Sequence, residues 1–179
     1  MWWIIGILVL VIILYFIAAQ RNFVKTKENI DNAFSQIKVN QQSRFDALTE
    51  LAKATKSYSE YEYEALMGVI EKRQGLNSID NLETNEGVLR QATGMINALA
   101  ERYPDLKASN LYTETMQSLN KYENNVRTAR MVFNDSVTIY NRMVKQFPSS
   151  LVASVLGYGP ETYLEMDESK MDMPDLEYK

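Results

Sequence analysis

Between Trp2 and Ala19 the chain reads WWIIGILVLVIILYFIAA, with no charged residue and no Asn, Gln, Ser or Thr. As an α-helix this run rises about 27 Å, enough to cross a hydrocarbon core of roughly 30 Å with its flanks at the interfaces. A stretch that is apolar on every face has no solvent side, which argues against the buried helix of a soluble domain. Ile17-Ala18-Ala19 loosely resembles a signal-cleavage site. However, no basic segment precedes the run, and the run is longer than the apolar part of a signal peptide. Trp2, Trp3 and Tyr15 sit where aromatic side chains anchor a helix at the two membrane–water boundaries. The reading taken is an uncleaved transmembrane anchor over residues 1–20.

The basic residues set a direction. Only the α-amino group lies ahead of the span, whereas Arg21, Lys25, Lys27 and Lys38 follow it. The excess of positive charge after the span predicts the amino terminus outside and the remaining domain in the cytoplasm.

About 160 residues follow, the size of one ordinary domain. Cysteine is absent, which removes disulfides and a thiol nucleophile. Histidine is absent too, and with it the commonest general base and transition-metal ligand. A di-iron bundle, which needs Glu-x-x-His pairs, is thereby excluded. Glu60, Glu62 and Glu64 read as a solvated face rather than a cation site. No phosphate loop, nucleophile elbow or zinc spacing occurs, so neither an enzyme nor a cofactor is expected.

Residues 161–179 carry seven acids against two basic groups, while residues 20–59 carry seven basic groups against four acids. The membrane-proximal part is thus mildly basic. That suits an anionic lipid surface and is far too weak for nucleic acid.

Ile30, Phe34, Ile37, Phe45, Leu48 and Ala52 recur mostly every three or four residues, with Gln41 in the gap. The spacing predicts an amphipathic helix leaving the membrane without a break and reaching about Ser57. Gln41 is read as lying at the edge of the stripe, the alternative being a buried residue that fixes register. A second helix is predicted from Glu60 to Gln74, and a third capped by Thr84 or Asn85 and ended by Pro104. Ser109 is the expected cap of the longest helix of the domain. There Tyr112, Leu119, Val126, Phe133, Tyr140 and Phe147 repeat every seven residues. Such a seam belongs to a helix packed lengthwise on its partners. Phe147 is taken as the last helical position because Pro148 disfavours the α conformation before it.

The fold expected is all-α. An N-terminal transmembrane helix leads into an elongated up-and-down four-helix bundle over 21–148, followed over 149–179 by a short apolar segment and an irregular acidic C-terminal tail. Leu151–Leu156 is read as capping the open end of the bundle rather than lying among lipid headgroups. On the last helix, Arg127, Asn134 and Asn141 repeat at sevens on one face, and Glu123 and Arg130 on another. They are candidate contacts to a partner helix or peptide, or polar groups fixing helix register, and the second reading is preferred.

Several runs resemble the LemA family of bacterial membrane proteins. They are Ala33-Phe34-Ser35-Gln36-Ile37, Tyr103-Pro104-Asp105-Leu106-Lys107-Ala108, Glu123-Asn124, Ala129-Arg130, Tyr140-Asn141, Phe147-Pro148-Ser149 with Ala153 and Gly157-Tyr158, and Pro174-Asp175-Leu176-Glu177-Tyr178. Phe34, Lys38 and Tyr61 depart from the tryptophan, aspartate and histidine usual there, and Arg44-Phe45-Asp46-Ala47-Leu48 is a reduced form of another stretch. The resemblance implies a single-pass protein with a helical bundle and no established activity. The expected function is a non-enzymatic scaffold of the cell envelope, in contact with membrane lipid, other copies of itself and unidentified envelope proteins. The alternative is a protein that binds or shapes the lipid surface.

Overall fold

A computed structural model describes residues 2–164. The acidic residues from Glu165 onward, and with them most of the predicted tail, lie outside the described residues. The described part is all-α, with its helices packed as a bundle.

Helix α1 (Trp2–Thr55) runs unbroken for 54 residues, about 80 Å at 1.5 Å per residue. No proline or glycine interrupts it after Gly6. From Trp2 to Tyr15 every side chain is exposed; burial begins at Phe16 and Ala19 and continues through Phe23, Ile30, Ala33, Ile37, Phe45, Leu48 and Leu51. The helix therefore passes from an all-apolar surface to a one-sided stripe without changing secondary structure.

Thr55 closes α1 by donating its hydroxyl to the Ala52 carbonyl at 2.7 Å. Ser59, in extended conformation, then caps α2 (Glu60–Ile70) by accepting from the Glu62 N–H. Helix α2 is shorter than the predicted span to Gln74, because Glu71 already caps its end. Helix α3 (Ile79–Arg102) begins earlier than predicted, on Ser78 rather than Thr84 or Asn85. Asn85 is fully buried and otherwise engaged. Its carboxamide accepts from the Gln74 N–H at 2.7 Å and donates to the Gln74 carbonyl at 2.9 Å. Pro104 opens the single turn α4 (Pro104–Lys107), a position where the missing N–H costs nothing. Ser109 caps α5 (Asn110–Lys145) through the Tyr112 N–H, as predicted.

The chain runs up, down, up and down through α1, α2, α3 and α5. The far end is a four-helix packing around Phe45, Leu48, Leu51, Leu66, Leu89, Ile96, Leu99 and Leu119. The membrane-proximal half is built differently. There α1 pairs with α5 through Phe23, Ile30, Ile37, Val126, Phe133 and Tyr140, and the remaining sides are closed by Leu82 of α3, Val152 and Ala153 of α6 (Ser149–Leu156), and Leu164.

The heptad seam holds from Leu119 to Tyr140, all buried, with Tyr112 half-buried at its start. Phe147 departs from it. Helix α5 stops at Lys145, Gln146 turns to an extended conformation, and Phe147 is 75% exposed. The residue before a proline is pushed out of the α region, and here the exit comes two residues earlier than the pattern suggests. Leu151–Leu156 is helical. Val152 and Ala153 close the bundle, while Leu151 and Val155 face outward.

Candidate functional site

Two polar assemblies are built into this frame. The first lies between the two cores. Gln41, read from the sequence as an edge residue, is completely buried. The α1 stripe narrows to a line that passes through position 41 as α3 closes over it. The Gln41 Nε2 donates to the Leu82 carbonyl at 2.9 Å and to Glu86 at 3.3 Å. Arg44 donates through one guanidinium nitrogen to both Glu86 oxygens at 2.9 and 2.8 Å. Its other nitrogen stands 3.9 Å from Glu123 of α5. Glu123 also faces Arg127 at 3.9 Å, and Arg130 reaches Glu83 of α3 at 3.4 Å. These groups tie α1, α3 and α5 at one level and fix their relative heights, since sliding any helix by a turn would strand a buried charge. The ionisable groups of the layer are carboxylates and guanidiniums, joined by the Gln41 carboxamide; every described carboxylate faces a cation, and nothing in it is arranged for proton transfer or nucleophilic attack.

The second assembly lies on α5 at the membrane-proximal end. Beyond α6, Gly157 adopts a left-handed conformation with φ of 72° that glycine takes without a Cβ penalty. The chain then turns back along α5 as an extended segment. Asn141 accepts from the Glu161 N–H at 2.8 Å and donates to the Glu161 carbonyl at 2.9 Å. One heptad earlier, Asn134 accepts from the Leu164 N–H and donates to the Leu164 carbonyl, both at 3.0 Å. The match is geometric. Seven helical residues rise about 10.5 Å, and three extended residues span about 10 Å. Each carboxamide thus meets one whole peptide-bearing residue of the strand, two donors and two acceptors satisfied at a time.

Side chains complete the grip. The Lys27 ammonium pairs with the Glu161 carboxylate, Leu164 is buried in the membrane-proximal core, and Tyr158 packs on Phe23 with ring centroids 5.0 Å apart. Phe23 meets Tyr140 edge-on at 5.7 Å. Phe23, Val24, Lys27, Tyr140, Tyr158 and Glu161 are among the residues lining an open cleft of about 440 Å³. Burial lowers the Lys27 pKa, but the Glu161 hydrogen bond and charge, with Asp31 and Tyr140 behind them, outweigh it and hold the ammonium above the ordinary lysine value. Burial, and then the Glu161 charge, raises the Tyr140 phenol, with Lys27 opposing.

Of the positions singled out in the sequence, Glu123, Arg127 and Arg130 thus fall in the charged layer, Asn134 and Asn141 in the strand clamp. Arg21 and Lys25 are exposed, whereas Lys27 is half-buried against Glu161. Trp2 and Trp3 are largely exposed. Glu60 and Glu62 are drawn apart, Glu60 to Lys56 and Glu62 to Arg102. Sequence reasoning missed the pairing of Arg44 with Glu86, the engagement of Asn85 with Gln74, and the return of Gly157–Leu164 along α5. The available signal was an Asn pair at a heptad spacing, followed by a stretch punctuated by Gly157, Gly159 and Pro160. Among the described residues no three His, Cys, Asp or Glu side chains converge as a metal site.

Comparison with known proteins adds the family. Over 150 residues the chain is 27% identical to Protein LemA of Metamycoplasma hominis, covering 80% of this chain and 68% of that protein. It is 29% identical over 73 residues to Magnetosome protein MamQ of Magnetospirillum gryphiswaldense, and 26% identical over 80 residues to Magnetosome protein MamQ 2 of Paramagnetospirillum magneticum. These matches cover 41% and 45% of this chain but only 27% and 29% of the magnetosome proteins. Neither the family nor these relatives are named for a catalytic activity. With the LemA family model matched over residues 33–178, and with an apolar N-terminal helix fit to cross a membrane, this membrane-associated helical bundle belongs to the LemA family.

Proposed function

We propose that the protein is a non-enzymatic scaffold of the bacterial cell envelope, anchored by the first part of α1 and assembling with further copies of itself and with other envelope proteins. The observation that carries this reading is the exposed apolar side chains that the bundle leaves uncovered. Val132 and Ile139, one heptad apart on one face of α5, and Met131 about a quarter-turn away are each about half exposed, on the helix that also forms the main seam with α1. Isolated exposed apolar residues are ordinary, but a pair repeating at the heptad spacing on one helix face supports a contact with another helix. Basic Arg21 and Lys25 just after the span favour a bundle on the cytoplasmic side.

Purification of the full-length protein in mild detergent, with the mass of the complex measured, tests the assembly. The expected result is a multiple of the chain mass or a co-purifying envelope protein. A bare monomer under all mild conditions would sink the reading. Removal of the bundle by protease added outside spheroplasts would overturn the orientation.

One observation favours a lipid-surface role alongside it. Phe147, Leu151 and Val155, spaced by four, are 75%, 59% and 73% exposed, and α6 packs in the same cluster as Phe16 and Ala19 at the foot of the bundle. An apolar stripe near the end of the span supports contact with the lipid surface at headgroup depth. Spin labels at Val155→Cys and Tyr61→Cys in nanodiscs separate the cases. Val155→Cys is expected to be reached by oxygen and shielded from a water-soluble relaxant. Equal behaviour at the two sites would exclude lipid contact.

A further inference from the structure

The clamp reads mainly main chain. The Asn134 and Asn141 carboxamides hold the N–H and C=O of Leu164 and Glu161, and Asn141 also meets the Tyr163 phenol. What selects the occupant is one acid facing Lys27 and one leucine three residues later filling the membrane-proximal core. This is the chemistry of a peptide groove on a helix face, and the segment known to fit it is the chain's own.

Every copy in a membrane carries both groove and segment, and carries them at one height. Because α1 has no break between the span and Lys27, the Lys27 position stands about 12 Å beyond Ala19 in every copy. Neighbouring copies therefore need only lie side by side for one segment to face the other's groove. Reach is sufficient. From Gly157 to Glu161, the first residue held in the groove, an extended chain covers roughly 13 Å, about the diameter of a helix with its side chains. The departure point is Gly157 in its left-handed conformation, followed by Gly159 and Pro160, a hinge that can redirect the strand without disturbing α6. Exchange of an identical element creates no new contact and loses none, so it is a low-cost route to a closed dimer.

We propose that the Asn134–Asn141 groove is a self-recognition site, filled in the membrane by residues 157–164 of a neighbouring copy. This rests on the self-assembly reading above and specifies its interface. Lys27 and Glu161 then pair between copies, and Leu164 of each chain fills the core of the other.

The absence of cysteine makes the test clean. Full-length Lys27→Cys and full-length Glu161→Cys, carrying different tags, are co-expressed and treated in membranes with a short bifunctional maleimide. The expected product is a mixed dimer, in excess over either same-variant dimer. The overturning result is no such excess while the double variant Lys27→Cys/Glu161→Cys crosslinks within one chain. The mass of the untreated protein keeps the two ideas apart. An oligomer without the mixed crosslink leaves the scaffold standing and removes exchange; a monomer removes both.

Discussion

Arg44 of α1 and Glu86 of α3 share a two-oxygen ion pair at 2.8–2.9 Å, with the arginine side chain only 5% exposed. A pair this enclosed contributes little beyond what two well-packed apolar groups would, yet removing Glu86 leaves the buried Arg44 only the more distant Glu123 carboxylate at 3.9 Å. Glu86→Ala is therefore expected to destabilise the bundle by about 3 kcal/mol. The double change Arg44→Met/Glu86→Met should recover most of that loss. Urea unfolding of the three proteins decides it; a double variant no better than the single would show that the pair itself supplies the stability.

Gln41 in the same layer is a different case. Its Nε2 is bonded, but its Oε1 is buried with no hydrogen-bond partner among the described residues. A buried acceptor left unmade costs about as much as a typical bond returns. Gln41→Met, similar in volume, should change stability by less than about 1 kcal/mol. A loss of several kcal/mol on thermal or chemical unfolding would mean that the carboxamide bonds dominate.

For the strand clamp, Asn141→Ala removes one donor and one acceptor and leaves the Glu161 N–H and carbonyl without them. Hydrogen exchange at Glu161 should accelerate by about tenfold or more, with Leu164 following if the two rungs act together. Amides of Leu48 and Leu51 in the far core should be unaffected. Uniform acceleration across the chain would instead indicate global destabilisation.

The foot of the bundle should also fail at alkaline pH. Lys27 is held above its ordinary value by Glu161 and its neighbours, and Tyr140 above its own chiefly by burial. A group whose pKa is raised by folding adds stability that is complete below its unfolded value and is lost as pH rises through the folded one. Both groups therefore act in one direction, with the decline starting near pH 10 and continuing above the usual lysine value of about 10.4. Melting temperature measured from pH 9 to 11.5 should fall more steeply for the native chain than for Glu161→Gln, in which both shifts are reduced. Parallel curves would refute the assignment.

Much of this fold could be read from residue spacing. The Ile30–Ala52 stripe and the Leu119–Tyr140 heptads repeat because each helix lies along a long partner, and periodic burial leaves a periodic pattern. The elements that escaped are those held by non-repeating contacts. Ser78 starts α3 by accepting from the Asn81 N–H, while Asn85, one of the two expected caps, is spent on Gln74. Gly157–Leu164 has no helical period and pairs with side chains rather than with another strand, so neither rule for regular structure detects it. Arg44 and Glu86 are 42 residues apart and meet only after three helices are placed. Phe147 belonged to the heptad by spacing and to the turn by its proline neighbour, and the turn prevailed.

The unbroken α1 has a mechanical meaning. With no linker at the bilayer surface, the far end of the bundle is rigidly geared to the span: Thr55 lies 36 residues beyond Ala19 on the same helix, about 54 Å away. A span tilted by about 20°, an ordinary value, carries that end sideways by roughly 18 Å. Changes in bilayer thickness or lateral packing that alter the tilt would be magnified into displacements several times larger at the tip, making the helix a pointer whose reading is set inside the membrane.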